Sequence, residues 1–565
     1  MRRRYTRGPL LPPAWLRQIQ TAPNVRLIVM RRPLQCLSLS LCLGATLAAR
    51  LPAADEVSPW TVFETAIESA TDYPNPFTDV EVNVVFTEGD ETWRVPAFWD
   101  GGTTWRVRFA PPRAGEYRYA VEASDPGNRG FAEAGGVLSV AEAPAANPLL
   151  RRGFLTIAAD RRRFEHADGT PFLWLGDTWW KCLSKRLTLE DFKRLAADRA
   201  TKGFNVVQIV CGPYPDEAMM EPRWANEGGL PYLTKDFSRV NPDSFRHADR
   251  RIEALVAAGI VPAIVGGWGR PQHGSRSTLE QVGLEGFKRH WRHLVARYGS
   301  LPVVWIVGGE ARDEYGPWAA VAAHVKAVDP YDHPLCYHAP GDPRTAIADQ
   351  SPFDFDMVAI GHDGLATAAK SLEILRSCLG CEPRRPALCG EACYERHMQT
   401  NFEDIQRHLF WSFMLSGAAG HTYGAAGIWQ ASVEGDPGID PVYDLTIWQE
   451  AMDYPGATQI GLGKKLLESH AWGRFQPHPE WAEPDCFAAG IPGEVRFLYK
   501  PKRRIYDWAG PVMKGLEADV TYTAFYFDPV RGRRFDLGAV SAPGGEYRAP
   551  RLPSPQDWVL VLERN

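Results

Sequence analysis

Apolar positions change their period along this chain, and the changes divide it. Between residues 56 and 145 they alternate: Trp60-Thr-Val-Phe-Glu, Val80-Glu-Val-Asn-Val-Val-Phe, Trp105-Arg-Val-Arg-Phe, Gly115-Glu-Tyr-Arg-Tyr-Ala-Val and Gly136-Val-Leu-Ser-Val, with Gly, Asp and Pro turns between them. Short strands at this density predict an Ig-like sandwich. Ala141–Pro148 reads as a linker. From about 150 to 470 the pattern becomes apolar runs of strand length separated by stretches of helical spacing. The runs are Phe172-Leu-Trp-Leu-Gly-Asp, Phe204-Asn-Val-Val-Gln-Ile-Val, Ile260-Val-Pro-Ala-Ile-Val and Val303-Val-Trp-Ile-Val-Gly-Gly-Glu. Pro334-Leu-Cys-Tyr-His, Phe355-Asp-Met-Val-Ala-Ile-Gly-His, Pro386-Ala-Leu-Cys-Gly-Glu and Gly420-His-Thr-Tyr-Gly complete the set. Eight such units predict a (β/α)8 barrel. Residues 475–565 return to period two. The expected fold is multidomain, a central (β/α)8 TIM barrel flanked by two small all-β sandwiches.

The first 53 residues stand apart. Leu34–Ala49 is a Ser-containing apolar run, preceded by Met30-Arg31-Arg32 and followed by small residues. It is shorter than the ~20 residues a membrane span needs and reads as a secretory signal, with Met1–Val29 an over-called gene start or a long n-region. A secreted or periplasmic protein with no membrane span in the mature chain is expected. With 63 basic against 68 acidic residues and a net charge of −5, no nucleic-acid partner is expected. The 20 Trp are a weak pointer to carbohydrate.

Chemistry is expected where barrels place it, at the C-terminal ends of the strands. Two carboxylates end glycine-flanked strands there, Glu310 on the fourth and Glu391 on the seventh. Strand alternation would turn Val304, Ile306 and Gly308 inward with Glu310 and leave Trp305 facing the helices, and would turn Ala387 and Cys389 inward with Glu391. Cys389 would then lie inside the barrel, with Cys378 and Cys381 beyond the other end of the strand. The four thiols of Cys378-x-x-Cys381 and Cys389-x-x-x-Cys393 could not meet one zinc at about 2.3 Å. No metal and no organic cofactor are expected. A carboxylate pair across a barrel mouth is what glycoside hydrolysis requires.

Residues 150–470 resemble the apiosidase-like (β/α)8 glycoside hydrolases. The resemblance is carried by Phe172-Leu-Trp-Leu-Gly-Asp-Thr-Trp-Trp, Lys202-Gly-Phe-Asn-Val-Val-Gln, Trp305-Ile-Val-Gly-Gly-Glu, Gly390-Glu-Ala-Cys-Tyr-Glu and Gly420-His-Thr-Tyr-Gly-Ala-Ala-Gly-Ile-Trp. It implies Glu310 as general acid/base and Glu391 as nucleophile. The fourth-strand carboxylate of that group is often Asp, and the preceding residue in the wider superfamily is usually Asn, where this chain has Gly309. Residues 56–145 resemble an Ig-like domain common on such enzymes. Residues 475–565 resemble a small domain that carries a collagen-binding label in related proteins.

Around the two glutamates, Asp177, Trp179, Trp180, Gln208, Trp268, His338, His362, Tyr394, Tyr423 and Trp429 occupy expected strand ends and are the candidate substrate-binding residues. The insertion from Pro213 to Asn241, with Trp224 and Tyr232, is expected to shape the pocket. Glu395 is expected to be structural, and Arg312 and Asp313 to orient the loop after Glu310. The leading reading is a retaining two-glutamate glycosidase acting on a plant or algal polysaccharide or its oligosaccharides. The alternative is a non-catalytic carbohydrate- or matrix-binding protein with an inert barrel. A metal-dependent hydrolase is a distant third, since His338, His362 and His421 sit singly on separate strands.

Overall fold

The computed structural model describes residues 57–565, apart from 272–275, 360, 392, 436–442 and 444–445. The chain divides into two units, Met1–Ala53 and Ala54–Asn565, and the described residues fall in the second. The signal-like run Leu34–Ala49 lies outside them.

The period-two segment forms two antiparallel sheets. One orders its strands Glu91–Pro96, Val82–Glu88, Gly115–Ala123 and Gly135–Val140, and the other Phe63–Glu68, Thr104–Phe109 and Phe98–Trp99. Their inner faces bury Val84, Phe86, Trp105, Val107, Phe109, Tyr117 and Leu138. Arg108 crosses to the barrel, where its guanidinium meets Asp249 at 2.9 Å and Asp249 also pairs with Arg297 at 2.8 Å.

Three short strands then precede the barrel: Leu155–Ile157, Phe164–His166 and Pro171–Phe172. Period alone does not reveal this small sheet, because each strand is too short to show alternation. It sets Phe164 against Trp174 and Phe355, with ring centroids 5.4 and 5.1 Å away, at the N-terminal ends of barrel strands. It therefore plugs the barrel at the end opposite the glutamates.

The barrel closes from eight parallel strands in chain order: β1 (Trp174–Thr178), β2 (Val206–Val210), β3 (Val261–Val265), β4 (Val304–Gly309), β5 (Leu335–Pro340), β6 (Asp356–Ala359), β7 (Ala387–Glu391) and β8 (Gly420–Tyr423), which pairs back onto β1. Both faces of each strand are covered, which is why the runs read as continuously apolar. Val206, Val210, Val261, Ala263, Val265, Val304 and Ile306 fill the interior. Val207, Ile209, Ile264 and Trp305 pack outward among the helices.

Simple alternation fails at the two strands that carry the glutamates. Between β4 and β5 the pairing runs from Ile306↔Cys336 to Gly309↔His338, so β4 holds one extra residue. Between β6 and β7 it runs from Val358↔Cys389 to Ala359↔Glu391, so β7 also holds one extra. Each is a β-bulge, which re-aims the side chain that follows it. As a result Gly308 faces outward, and a Cβ there would lie 2.5 Å from Trp318 Cζ3. Leu388, not Ala387 or Cys389, points into the barrel. Cys389 lies in an outer cluster with Cys378 and Cys393, so the inside-versus-outside argument against a thiol cluster does not hold. The thiols nevertheless have separate partners: Cys381 donates to Ser377 O and Cys393 to Gly364 O.

The C-terminal domain is a six-stranded antiparallel sheet ordered Gln476–Pro477, Phe487–Ile491, Val495–Lys500, Trp558–Arg564, Thr521–Asp528 and Arg533–Ser541, with a second pair, Val512–Lys514 and Glu546–Arg548. One face of the sheet buries Leu498, Tyr522, Tyr526, Trp558 and Leu560. The other sets Phe497, Tyr499, Phe525 and Val561 into the barrel's outer core. A buried bidentate pair, Arg407 to Asp557 at 2.8 and 2.7 Å, joins the two domains.

Candidate active site

Glu310 leaves β4 with a φ of +45°, in the left-handed region that a side-chain-bearing residue adopts only at a cost of about 1–3 kcal/mol. The residue before it explains how the chain holds this turn. A Cβ on Gly309 would stand 2.1 Å from Trp268 Cε3, so glycine alone lets the indole lie on the β4 backbone. That contact is clamped by Gly269 N–H to Gly309 O at 2.6 Å and Gly309 N–H to Gly267 O at 2.9 Å. The same indole donates Nε1–H to Glu310 Oε2 at 3.2 Å, and Arg270 Nη1 stands 3.7 Å from Oε1.

Glu391 is held from the other side of the mouth. A Cβ on Gly390 would fall 1.9 Å from Met357 Cγ, so the bulge closes only over a glycine. His338 Nε2 lies 2.7 Å from Glu391 Oε2, and His362 Nε2 lies 3.4 Å from Oε1. The His338 contact is close but off the line of a hydrogen bond. His362 Nδ1 accepts the Tyr394 backbone N–H at 3.1 Å, which leaves the neutral ring's proton on Nε2, facing the carboxylate. The Tyr394 hydroxyl accepts Trp180 Nε1–H at 2.7 Å, and burial, with the Glu391 charge beside it, holds the phenol well above its ordinary range.

The two carboxyls are driven apart in acidity. Burial pushes Glu310 up and the nearby Glu391 charge pushes it further; His338, Arg270 and the Trp268 hydrogen bond offset only part of this. Burial also raises Glu391, but the contacts from His338 and His362 outweigh it and hold this carboxyl well below the usual carboxylate range. A carboxyl biased towards its acid form facing one kept ionised is the division of labour that acid/base chemistry needs.

Both open into one cavity of about 420 Å³. Six of the ten candidate binding residues line it: Trp180, Trp268, His338, His362, Tyr394 and Trp429. The Trp180 and Trp268 rings lie 5.3 Å apart, each 5.6 Å from His338.

The other four are placed elsewhere. Asp177 is fully buried, 2.6 Å from Arg199 Nε, and accepts Trp179 Nε1–H at 2.9 Å. Trp179 packs edge-on against Phe192 on the helix side. Gln208 donates to Gly390 O and Thr422 Oγ1, both at 3.0 Å, inside the barrel, where it braces the bulge below Glu391. Tyr423 donates to Glu395 Oε2 at 2.6 Å. Tyr232 of the insertion is buried too, stacked on Phe237 at 4.0 Å. Arg312 donates to Pro340 O at 2.7 Å and Asp313 accepts Ala348 N–H at 2.8 Å, both fixing the loop after Glu310.

The cavity also takes Asp216, Arg270, Lys370, His397, Met398 and Tyr443, none of which was singled out in the sequence. Arg270 follows Trp268 by two residues and could have been reached by extending the strand-end rule along that loop. Tyr443 stacks on His397 at 5.2 Å, a contact between segments distant in sequence that no local pattern encodes.

With this geometry in view, the chain can be set beside known proteins. Residues 158–474 match the model of the apiosidase-like catalytic domain, and residues 56–124 match a domain of unknown function, DUF5060. A protein of Bacteroides vulgatus ATCC 8482, solved as a candidate glycoside hydrolase, superposes with a TM-score of 0.70 at 18% identity, covering 91% of this chain and 100% of its own. A glycoside hydrolase family 5 structure from the same organism gives 0.60 at 19%, covering 73% and 94%. A further structure, described as a glycoside hydrolase, gives 0.58 at 20%, covering 73% and 97%. At these identities the likeness is one of fold. No curated protein matches the chain. Since the first of these matches spans more than half of its length, the chain belongs to the apiosidase-like catalytic domain family.

Proposed function

We propose that the protein is a retaining glycosidase that cleaves a plant or algal polysaccharide or its oligosaccharides, and that it works outside the cytoplasm, secreted or periplasmic. The observation that carries the first part is the pair Glu310 and Glu391, on one cavity and shifted in opposite directions. Asp177, locked to Arg199 and fully buried, shows how a structural carboxylate sits in the same barrel.

In this reading Glu391 attacks the anomeric carbon while Glu310 gives its proton to the departing oxygen, so the glycosidic bond breaks as a glycosyl–Glu391 ester forms. The ester removes the negative charge that had raised Glu310. Glu310, now ionised, takes a proton from water, whose oxygen attacks the anomeric carbon, frees the sugar and restores Glu391. Trp268 and Arg270 steady the acid. His338, His362 and Tyr394 hold the nucleophile, and Trp180, Trp268 and Trp429 supply faces for sugar rings.

Glu391→Ala and Glu310→Ala are each expected to abolish hydrolysis with an unchanged circular dichroism spectrum. Full activity in either variant would refute the assignment. The extracellular part rests on the Leu34–Ala49 run. N-terminal sequencing of the mature protein tests it, and a start upstream of that run would count against export by cleavage.

A further inference from the structure

Outside the cavity, the turn after the strand Val495–Lys500 breaks the character of the C-terminal domain. Lys502, Arg503, Arg504, Ile505 and Tyr506 are all exposed, Ile505 at 74% and Tyr506 at 81%. A single exposed apolar residue needs no explanation. Five consecutive exposed residues that join cations to an aliphatic and an aromatic side chain are a different matter, because the frame beneath them is tied down. Lys500 Nζ bonds Asp507 Oδ1 at 3.0 Å and Ala509 O at 2.6 Å, and Leu552 N–H donates to Trp508 O at 3.0 Å. Gly510 packs so closely that a Cβ there would fall 2.1 Å from Ala549 O.

The charges on this frame differ in their partners. Arg503 turns back to Asp485 at 3.5 Å. Arg551 lays its guanidinium over the Trp508 ring, 4.3 Å from the centroid. Among the described residues no carboxylate pairs with Lys502, Arg504 or Arg551. Two uncompensated cations, Lys502 and Arg504, therefore share the exposed turn with the Tyr506 ring, and a third, Arg551, is stacked on Trp508 in the frame beside it.

We propose that this loop binds a uronate-bearing polysaccharide and so tethers the enzyme to polymer at a place separate from the cavity. The cations match carboxylate groups, with arginine suited to bidentate contact, and the Tyr506 ring offers a flat face for a sugar ring. The chain's overall acidic excess gives no broad footprint for nucleic acid, and one aliphatic residue is too little for membrane insertion. The choice of a polysaccharide among polyanions rests on the glycosidase reading; the existence of an anion-binding surface does not.

Native gel electrophoresis of the full chain carrying Glu391→Gln, through gels containing alginate or polygalacturonate with neutral galactomannan as control, tests this. Retardation is expected in the acidic gels only, weakening as salt is added. It is expected to be lost in Lys502→Gln/Arg504→Gln and, separately, in Tyr506→Ala. The same loop substitutions on the wild-type background leave hydrolysis of soluble oligosaccharides at the wild-type rate. Free migration of the parent protein in the acidic gels, equal retardation of the loop variants, or tighter binding to anionic vesicles or single-stranded DNA would overturn the proposal. Retardation that depends on the loop, in a protein whose wild-type form hydrolyses no saccharide, would uphold the surface and overturn the glycosidase reading instead.

Discussion

Trp268 lies on the backbone of Gly309, with no room for a Cβ between them, and from that position donates its indole N–H to Glu310. The glycine, the indole and the acid thus form one unit, and the acid's left-handed turn is held by it. Gly309→Ala should displace the indole and misplace the carboxyl. Displacement of a catalytic group by an ångström costs on the order of 10²-fold in rate. The expected outcome is a fall in kcat of about that size with folding retained, measured by steady-state kinetics beside circular dichroism. An unchanged kcat would separate Trp268 from the acid.

Acidity makes a second prediction. Since Glu310 is raised by burial and by Glu391, it stays protonated above the ordinary glutamate range, and the alkaline limb of the kcat/KM profile reports its ionisation. Arg270 opposes that rise. Arg270→Gln removes a charge that favours the ionised form, so the limb should move to higher pH. A limb that stays put or moves down would contradict this account.

Asp177 tests the difference between a structural and a catalytic carboxylate. Breaking a buried ion pair by removing one partner costs roughly 3–5 kcal/mol, because the other charge is left uncompensated. Asp177→Asn should lower the urea midpoint accordingly while activity per folded molecule is unchanged. A selective loss of activity with normal stability would return Asp177 to the site.

Glu395 supplies a stability prediction. Burial raises its carboxyl from 4.5 to about 7, against hydrogen bonds from Tyr423 and Gly456. A pKa that rises on folding stabilises the folded state while the group is protonated. The contribution is whole below about pH 4.5, the unfolded value, and is lost as pH climbs through 7. It amounts to about 3 kcal/mol over that span. Tm should therefore fall across this window, and Glu395→Gln should flatten the fall.

The large features were legible because they depend on periodicity. Eight apolar runs become eight barrel strands, and the two strand-end glutamates reach one cavity. Within the strands, alternation correctly separates Val304 and Ile306 from Trp305. It fails at Gly308 and Cys389 because each strand gains a residue just before its glutamate, and a bulge leaves no mark on a two-residue period. Asp177, Trp179 and Tyr423 stand at strand ends yet turn outward to partners such as Arg199 and Glu395, which come from other parts of the chain. Lys370 reaches the cavity from the helix Leu365–Gly380 and Tyr443 from a turn, where position along a strand carries no information.

The central claim is that Glu391 acts as a nucleophile opposite Glu310. Its most direct test is NMR of the first sugar released when the full chain is incubated with defined plant and algal oligosaccharides. The wild-type protein should release a sugar whose anomeric configuration is that of the bond cleaved, and Glu391→Gln should release none. An inverted first product, or undiminished release by the variant, would contradict it.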